Sequence, residues 1–282
     1  MKAIILNLSA WVMLPVMDGF AKYLSSTLPI LQITWSRYFF TVVFVLPIML
    51  VFFRKNLTWT EQPKLQLIRG LLLFCANILF FYSISIISLA KALTLAFIAP
   101  LIVTLLSPIL LGEKVGFRRW AAVIVGFIGS LIVIRPGFVE FNLASFAALG
   151  TGAMYGFYLI VTRKLHNSDN PLLTLLLTGT VGAILGSIIM PTVWVQPTIN
   201  EWYMMFAIGF FASLGHFFLI LSLRYADASK LAPFGYFEIV PNIIIGYFFF
   251  NHFPNQWHFL GLFIIISSGI YIFRREMLNM PN

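Results

Sequence analysis

The chain has 282 residues, 60% of them hydrophobic and 10% charged, and its mean hydropathy is +0.95. A water-soluble domain of this size could not bury so much apolar surface, so the composition excludes that class. The net charge of +9 would suit nucleic acid in a soluble protein, but here the basic residues mark one face of a membrane, and no nucleic-acid partner is expected. The single cysteine, Cys75, excludes an intramolecular disulfide.

Ten apolar stretches follow one another along the chain, and each approaches the ~20 residues that a helix needs to cross ~30 Å of hydrocarbon. We predict membrane-spanning helices, numbered spans 1 to 10, at 3–25, 31–53, 68–87, 90–111, 118–135, 142–163, 171–192, 203–223, 230–250 and 256–274. Their uniform apolar character excludes the alternating pattern of a β-barrel. Asp18 interrupts span 1 and further spans follow it, so we expect a retained helix and not a cleaved signal peptide. The predicted fold class is an all-α integral membrane protein with ten transmembrane helices in the lipid bilayer.

The gaps between the spans alternate between basic and nearly uncharged. The basic positions are Arg54, Lys55, Lys64, Arg69, Lys114, Arg118, Arg119, Arg163, Lys164, Arg224, Lys230, Arg274 and Arg275. Loops rich in Lys and Arg remain in the cytoplasm. We therefore expect both termini to be cytoplasmic and the protein to lie in a plasma membrane, the inner membrane of a bacterium.

The two halves of the chain match weakly at several positions. Pro100 in span 4 corresponds to Pro241 in span 9, and Lys91 corresponds to Lys230. Each half has five spans, and an odd number of crossings makes the second half enter the membrane from the opposite side. We expect 1–137 and 138–282 to be two inverted five-helix repeats, an architecture that places a transporter's substrate site between the halves near the midplane.

Several local motifs point to a known family. They are Asp18-Gly-Phe-Ala-Lys22-Tyr-Leu, Arg37-Tyr-Phe-Phe, Leu67-Ile-Arg69-Gly-Leu-Leu-Leu-Phe, Gly112-Glu113 and Ala232-Pro-Phe-Gly-Tyr236-Phe-Glu238. With them, the whole chain resembles the EamA-type carriers of the drug/metabolite transporter superfamily, in the branch that includes S-adenosylmethionine and riboflavin carriers. The resemblance implies transport of a small organic solute without fixing which one. The family's second Gly-Glu, after span 9, is replaced here by Phe253-Pro254.

Charged residues inside span 1 and span 2 are the first candidates for function, because a charge at the bilayer centre costs ~2.5–3.5 kcal/mol on insertion scales. Asp18 and Lys22 lie one helical turn apart on the same face of span 1. Either they line the pathway, with Asp18 binding a cation or a proton, or Asp18 forms a neutralising salt bridge with Lys22 or Arg37. Arg37 would hold a substrate carboxylate or phosphate, pair with Asp18, or extend outward to the interface.

Glu238 is the deepest acid of the second half and lies three residues before Pro241. A proline frees a carbonyl in the preceding turn, so an acid beside it suits an ion or proton site. The alternative is a Glu that bonds a neighbouring helix for packing. The adjacent Tyr236 suits an aromatic wall that, with a carboxylate, would bind a cation.

Further candidates occupy the middle of other spans. His216 in span 8 and Asn77 at the matching place in span 3 would either take part in binding or form packing hydrogen bonds; a histidine there would titrate near neutral pH. Additional candidate cavity residues are Trp11, Phe97, Tyr155 and Tyr158. We expect a central cavity bounded mainly by spans 1, 2, 4, 6, 7 and 9, with spans 5 and 10 at the periphery.

The sequence contains no motif for a metal or a cofactor. It has no His-Glu-x-x-His, no aspartate-rich diphosphate motif and no Cys/His cluster, so neither a metal site nor enzymatic activity is expected. We predict a secondary transporter that moves a small amino-acid-derived metabolite, cationic or zwitterionic and S-adenosylmethionine-like, by alternating access. Protons or a counter-substrate are possible coupling partners, and the oligomeric state stays open. The alternatives are a membrane-embedded enzyme, a receptor-like scaffold, or a channel, which would need a continuous polar pore lining.

Overall fold

The structure is a computed structural model that describes residues 1–134, 142–251 and 256–278. In these ranges the chain contains helices and no strands, which confirms the predicted all-α class. The helices follow the predicted spans in order and carry the same numbers. They are α1 Lys2–Leu24, α2 Ile30–Phe52, α3 Pro63–Ile86, α4 Leu89–Leu111, α5 Phe117–Ile134, α6 Leu143–Lys164, α7 Pro171–Ile189, α8 Ile199–Tyr225, α9 Ala228–Phe250 and α10 Gln256–Leu278.

Eight of the described helices are long and apolar enough to cross a membrane, namely α1 to α4 and α6 to α9. The chain is therefore a multi-pass membrane protein. Over their described residues, α5 and α10 do not meet this criterion of length and apolar composition. Helix α5 carries Arg118 and Arg119 in its first turn. The count of ten crossings therefore stays a prediction. The boundary between 137 and 138, and the residues Phe253 and Pro254, lie outside the described residues.

Two of the membrane helices are broken near their middle. Helix α4 consists of Leu89–Ala96 and Ile98–Leu111, with Pro100 in the first turn of the second segment. Helix α9 begins with one α-helical turn, continues as a 3₁₀ segment over Ala232–Glu238 and ends as Ile239–Phe250. Proline lacks a backbone N–H and cannot complete the hydrogen bond of the preceding turn, so the helix changes its geometry there. The break predicted beside Glu238 is present.

Most contacts between the helices recur when each helix is exchanged for the one five positions away in the chain. Helix α1 packs along α8 as α6 packs along α3, and α1 contacts α9 as α6 contacts α4. The exchange turns α2 into α7 and α7 into α2, so the contact between these two helices is its own counterpart. The same holds for the contact between α5 and α10. The contact of α6 with the α4 break requires Gly152, because a Cβ there would collide with the carbonyl oxygen of Ala96.

One basic residue that the hydropathy pattern placed in a gap is buried inside a helix. Arg69 was predicted in the gap between spans 2 and 3, but α3 already begins at Pro63 and Arg69 is a fully buried helical residue. The polar residues Lys64 and Gln66 lower the hydropathy of this first part of α3, and the span therefore looked shorter than the helix is.

Candidate functional site

A cavity of about 100 Å³ lies between the two halves of the helix bundle. Residues of α1, α3, α4, α6, α8 and α9 line it. The expectation that spans 2 and 7 bound the cavity was wrong, since α3 and α8 take their places. Helices α2 and α7 pack on each other instead, with Gly182 directly against the Tyr38 ring, and form an outer layer. Among the described residues, α5 and α10 contribute nothing to the lining, as expected.

Two carboxylates face this cavity, one from each half. Asp18 of α1 and Glu238 at the α9 break both line it, and Asp18 is only 3% exposed. Within the part of the chain that the structure describes, neither carboxylate has a hydrogen bond or a salt bridge. The described lining also contains no Lys or Arg. A carboxylate in such surroundings attracts a cation or takes up a proton.

The anticipated pair of Asp18 with Lys22 does not form. The Lys22 Nζ donates instead to the carbonyl oxygens of Ile84 at 2.7 Å and Ile87 at 3.2 Å. These carbonyls belong to the end of α3, where backbone oxygens have no partner inside the helix and accept from a cation. Lys22 therefore lies at the end of α1 and does not line the cavity.

Arg37 lies behind the cavity wall and is directed toward a histidine. Its Nη2 is 2.5 Å from His216 Nε2, and its Nε is 3.2 Å from the Met17 sulfur. Arg37 is 2% exposed, so it does not extend outward, and it forms no salt bridge with Asp18. It is absent from the cavity lining, whereas His216 belongs to it.

The hydrogen bonds of His216 show which of its ring nitrogens carries the hydrogen. A guanidinium can only donate, so His216 Nε2 accepts from Arg37 and the ring hydrogen of the neutral imidazole lies on Nδ1. Nδ1 is 2.9 Å from the Tyr158 hydroxyl oxygen and donates to it. Both ring nitrogens are thus engaged, and His216 has no lone pair left for a proton while Arg37 is bound. His216 and Tyr158 act as a fixed wall behind the cavity.

Arg69 completes this buried polar layer, and sequence reasoning missed it. Its Nη2 donates to the Tyr158 hydroxyl at 2.8 Å and its Nε to the Thr162 hydroxyl at 2.8 Å. Its Nη1 donates to the Thr174 carbonyl oxygen at 3.1 Å and to the Thr178 hydroxyl. The signal in the sequence was the hydroxyl residues of spans 6 and 7, which supply acceptors for a buried guanidinium.

Asn77 also lines the cavity. Its side-chain nitrogen donates to the Tyr38 hydroxyl at 2.9 Å and to the Leu73 carbonyl oxygen at 2.6 Å. Asn77 and His216 thus occupy matching positions in the two halves and have similar roles, because each joins the cavity wall to a tyrosine on a neighbouring helix.

Aromatic rings cover much of the remaining surface. Trp11 and Tyr155 line the cavity and meet edge to face at 6.3 Å between ring centroids, and Tyr155 stacks on Tyr158 at 5.3 Å. Phe97, at the α4 break, also lines the cavity and contacts Tyr236 at 5.2 Å. Tyr236 itself lies behind Phe97 and outside the lining. The candidates thus divide into residues that face the cavity (Trp11, Asp18, Asn77, Phe97, Tyr155, His216, Glu238) and residues that do not (Lys22, Arg37, Tyr158, Tyr236).

Comparison with known proteins places the whole chain in one family. The model of the EamA-like transporter family matches residues 1–135 and again 142–274. The chain is 29% identical to an S-adenosylmethionine uptake transporter of Rickettsia prowazekii (strain Madrid E), over 94% of this chain and 90% of the relative. It is 30% identical to the protein of that name from Rickettsia bellii (strain RML369-C), over 92% of this chain and 89% of the relative.

Two further similarities extend this finding. The chain is 27% identical to a riboflavin transporter of Vibrio cholerae serotype O1, over 95% of this chain and 92% of that protein. A solved crystal structure superimposes with a TM-score of 0.79 over 94% of this chain and 96% of the other, at 17% identity, and shows the fold alone. The matched relatives carry names of transporters of small molecules and not of enzymes. The chain therefore belongs to the EamA-like transporter family, and its function is membrane transport.

Proposed function

We propose that this protein is a secondary carrier for a small cationic metabolite of the S-adenosylmethionine type, which binds between the halves and crosses by alternating access. The observation that carries the proposal is the pair of carboxylates, Asp18 and Glu238, in a cavity whose described lining has no Lys or Arg. Membership of a transporter family speaks against the alternatives of an enzyme or a scaffold.

The electrostatics of the cavity select for positive charge. Two carboxylates in surroundings of low dielectric constant attract a cation more strongly than they would in water and repel an anion. The faces of Trp11, Tyr155 and Phe97 add cation–π attraction for a sulfonium or ammonium group, and an aromatic wall also suits a purine ring. The names of the Rickettsia relatives support a sulfonium metabolite in particular.

The size of the cavity implies movement. At about 100 Å³ it is smaller than the ~300–1,000 Å³ of ordinary small-molecule sites, so it has to widen to admit a metabolite. The breaks in α4 and α9 lie beside Phe97 and Glu238, at the site itself. Discontinuous helices at the midplane are the parts on which many secondary carriers form their sites.

The proposal includes the two inverted repeats, 1–137 and 138–282, and a cytoplasmic location of both termini. The exchange symmetry of the helix contacts and the matching breaks in α4 and α9 support the repeats. The alternation of basic gaps supports the orientation. The bacterial source of the relatives supports the inner membrane of a bacterium.

Asp18 and Glu238 also provide the means of coupling. When the cation leaves, two unpaired carboxylates remain in a mainly apolar cavity, and each is stabilised by a proton or by a second cation. Transport would therefore proceed with proton movement or by exchange for a counter-substrate of the same charge. His216 is excluded as the proton carrier by its bond with Arg37.

Uptake by the purified protein in liposomes tests the proposal. We expect labelled S-adenosylmethionine to enter and to be displaced by other organic cations, but not by dicarboxylates or riboflavin. Asp18→Asn and Glu238→Gln should abolish or strongly reduce uptake, whereas Glu61→Gln, which removes an exposed acid, should not. Uptake of riboflavin or of an anion in place of the cation would contradict the proposal.

A further inference from the structure

A cationic side chain at the end of α6 joins three other helix ends. Arg163 Nη1 donates to the Leu223 carbonyl oxygen at 2.8 Å, and its Nη2 lies 3.0 Å from Asp227 Oδ1. Its Nε is 3.4 Å from Glu113 Oε1. Burial alone raises the pKa of Asp227, but the hydrogen bond and charge of Lys230, together with Arg163, hold it below its ordinary value. Asp227 is therefore ionised at neutral pH. We call Arg163, Leu223, Asp227 and Glu113 the inner clamp.

Glu113 contributes more to the inner clamp than one ion pair. Its two carboxylate oxygens also accept from the backbone N–H groups of Ala228 and Ser229, both at 2.9 Å. These are the first residues of α9, where backbone donors have no partner in the helix and a negative charge is favoured. Glu113 follows α4 in the first half of the chain, so it holds the second half at the start of the broken helix α9.

A second cation makes the corresponding contacts at the end of α1. Lys22 Nζ binds the Ile84 and Ile87 carbonyl oxygens, and it lies 5.7 Å from the centroid of the Phe250 ring. Ile84 and Leu223 occupy equivalent places, each seven residues beyond the matched cavity residues Asn77 and His216. We call Lys22, Ile84, Ile87 and Phe250 the outer clamp.

The two clamps are thus built alike. In the first half, Lys22 in the last turn of α1 binds the end of α3. In the second half, Arg163 in the last turn of α6 binds the end of α8. In each clamp, the end of the broken helix of the other half also contributes, Glu113 after α4 in one case and Phe250 of α9 in the other. The start of α1 lies at the end of α8, where the Lys2 Nζ donates to the Tyr225 hydroxyl at 3.2 Å. Because α1 packs along α8, the end of α1 and the end of α8, and with them the two clamps, lie at opposite ends of the bundle.

We infer that the inner and outer clamps are the two gates of the cavity, and that each opens in turn during the transport cycle. The inference rests on the proposed alternating-access function. Each clamp connects the two halves, so their relative movement cannot widen one end of the cavity without separating that clamp. The cavity floor on the inner side, formed by Leu223, Ala228 and Leu231, adjoins the inner clamp directly.

The clamps differ in strength. The inner clamp contains two carboxylates, and the described outer clamp contains only carbonyl oxygens and a ring. Both clamps have a charged donor, but in the inner clamp the acceptors are charged as well, and the attraction between two opposite full charges exceeds that between a charge and a carbonyl dipole. We therefore expect the outer clamp to separate more readily than the inner clamp.

Side-specific labelling of a cavity cysteine tests the gates. Cys75→Ser provides the background and Thr151→Cys, on the α6 wall, the target for a membrane-impermeant maleimide added from either side of oriented vesicles. We expect Lys22→Met to raise labelling from the outside, and Arg163→Gln to raise it from the inside. Each change should be about fivefold, the shift that removal of about 1 kcal/mol from a closed state produces.

Matched variants separate gating from misfolding. Glu113→Gln leaves Arg163 in place and should open the same inner side, while Lys22→Arg should restore the outer closure. Arg118→Gln, which removes an exposed cation from the inner end, should change neither side. Unchanged labelling in the Lys22, Arg163 and Glu113 variants, or an increase on the same side for all three, overturns the inference. The labelling needs no substrate, so a failed uptake assay with S-adenosylmethionine would reject the proposed cargo and leave this result standing.

Discussion

Two sets of buried charge lie side by side in this bundle, and they differ in how they are satisfied. The guanidinium groups of Arg37 and Arg69 have hydrogen-bond partners in the described structure, whereas the carboxylates of Asp18 and Glu238 face a cavity without any. A satisfied buried charge holds helices in one arrangement, and an unsatisfied one is costly unless a ligand completes it. Under the proposed function, the arginines belong to the scaffold and the carboxylates bind the substrate.

The largest expected effect is on transport, from neutralising a cavity acid. Glu238→Gln keeps the shape and hydrogen-bonding capacity of the side chain and removes its charge. A charge-assisted contact contributes about 1–3 kcal/mol, so we expect uptake at limiting substrate to fall by about 5- to 150-fold. Expression and thermal stability in detergent should remain at the wild-type level, because no described group loses a partner. Wild-type uptake by Glu238→Gln would reduce this residue to a packing role.

The opposite outcome is expected for the buried arginine. Arg69→Met removes four hydrogen bonds that join α3 to α6 and α7. Bonds between membrane helices average about 0.6 kcal/mol and charged donors give more, so we expect a loss of about 2–4 kcal/mol of stability. A lowered melting temperature with near-normal uptake per folded molecule is the expected result. If uptake disappears while the melting temperature is unchanged, Arg69 belongs to the transport machinery instead.

A smaller effect is expected for His216, and it concerns pH. Because Nε2 already accepts from Arg37, we expect a group other than His216 to bind the coupling proton. His216→Gln should lower uptake modestly through the changed cavity wall and leave the shape of the pH profile intact. Asp18→Asn, tested in parallel, should change that shape. A pH profile that flattens only in His216→Gln would move the coupling proton from the acids to the histidine.

The smallest expected effect comes from the outer layer. Tyr38→Phe removes one hydrogen bond, from Asn77, and keeps the ring against Gly182. We expect a loss of about 0.5–1.5 kcal/mol in stability and uptake within twofold of wild type. A thermal-unfolding series with Asn77→Ala and the double variant measures the coupling of the two side chains. A large loss of uptake in Tyr38→Phe would mean that α2 contributes to the site.

The helices were predictable from the sequence, while the contacts of the charged side chains were only partly so. Hydropathy indicates the helices because a bilayer imposes one length on them all, and the proline at 241 indicated the break in α9, whereas the break in α4 was not predicted. Asp18 and Glu238 were identified because the cost of burying an acid can be read from the sequence. The alternative of an Asp18–Lys22 pair is not realised because the carbonyl oxygens at the end of α3 bind the lysine instead, and helix-end acceptors become visible only in three dimensions. Arg69 was missed because its acceptors lie on other helices.

The central claim, that two carboxylates select a positive charge, is tested most directly by two substrates that differ by one methyl group and by the positive charge that this group gives the sulfur. S-Adenosylmethionine carries a sulfonium, and S-adenosylhomocysteine has a neutral thioether in its place. Initial uptake rates of both, measured with wild type and Glu238→Gln in liposomes, give the contribution of the charge. The account predicts that wild type prefers the sulfonium compound by tenfold or more, on the scale of about 1.4 kcal/mol per factor of ten, and that Glu238→Gln loses most of that preference. Equal rates for the two compounds in wild type, or a preference that survives in both Glu238→Gln and Asp18→Asn, would contradict it.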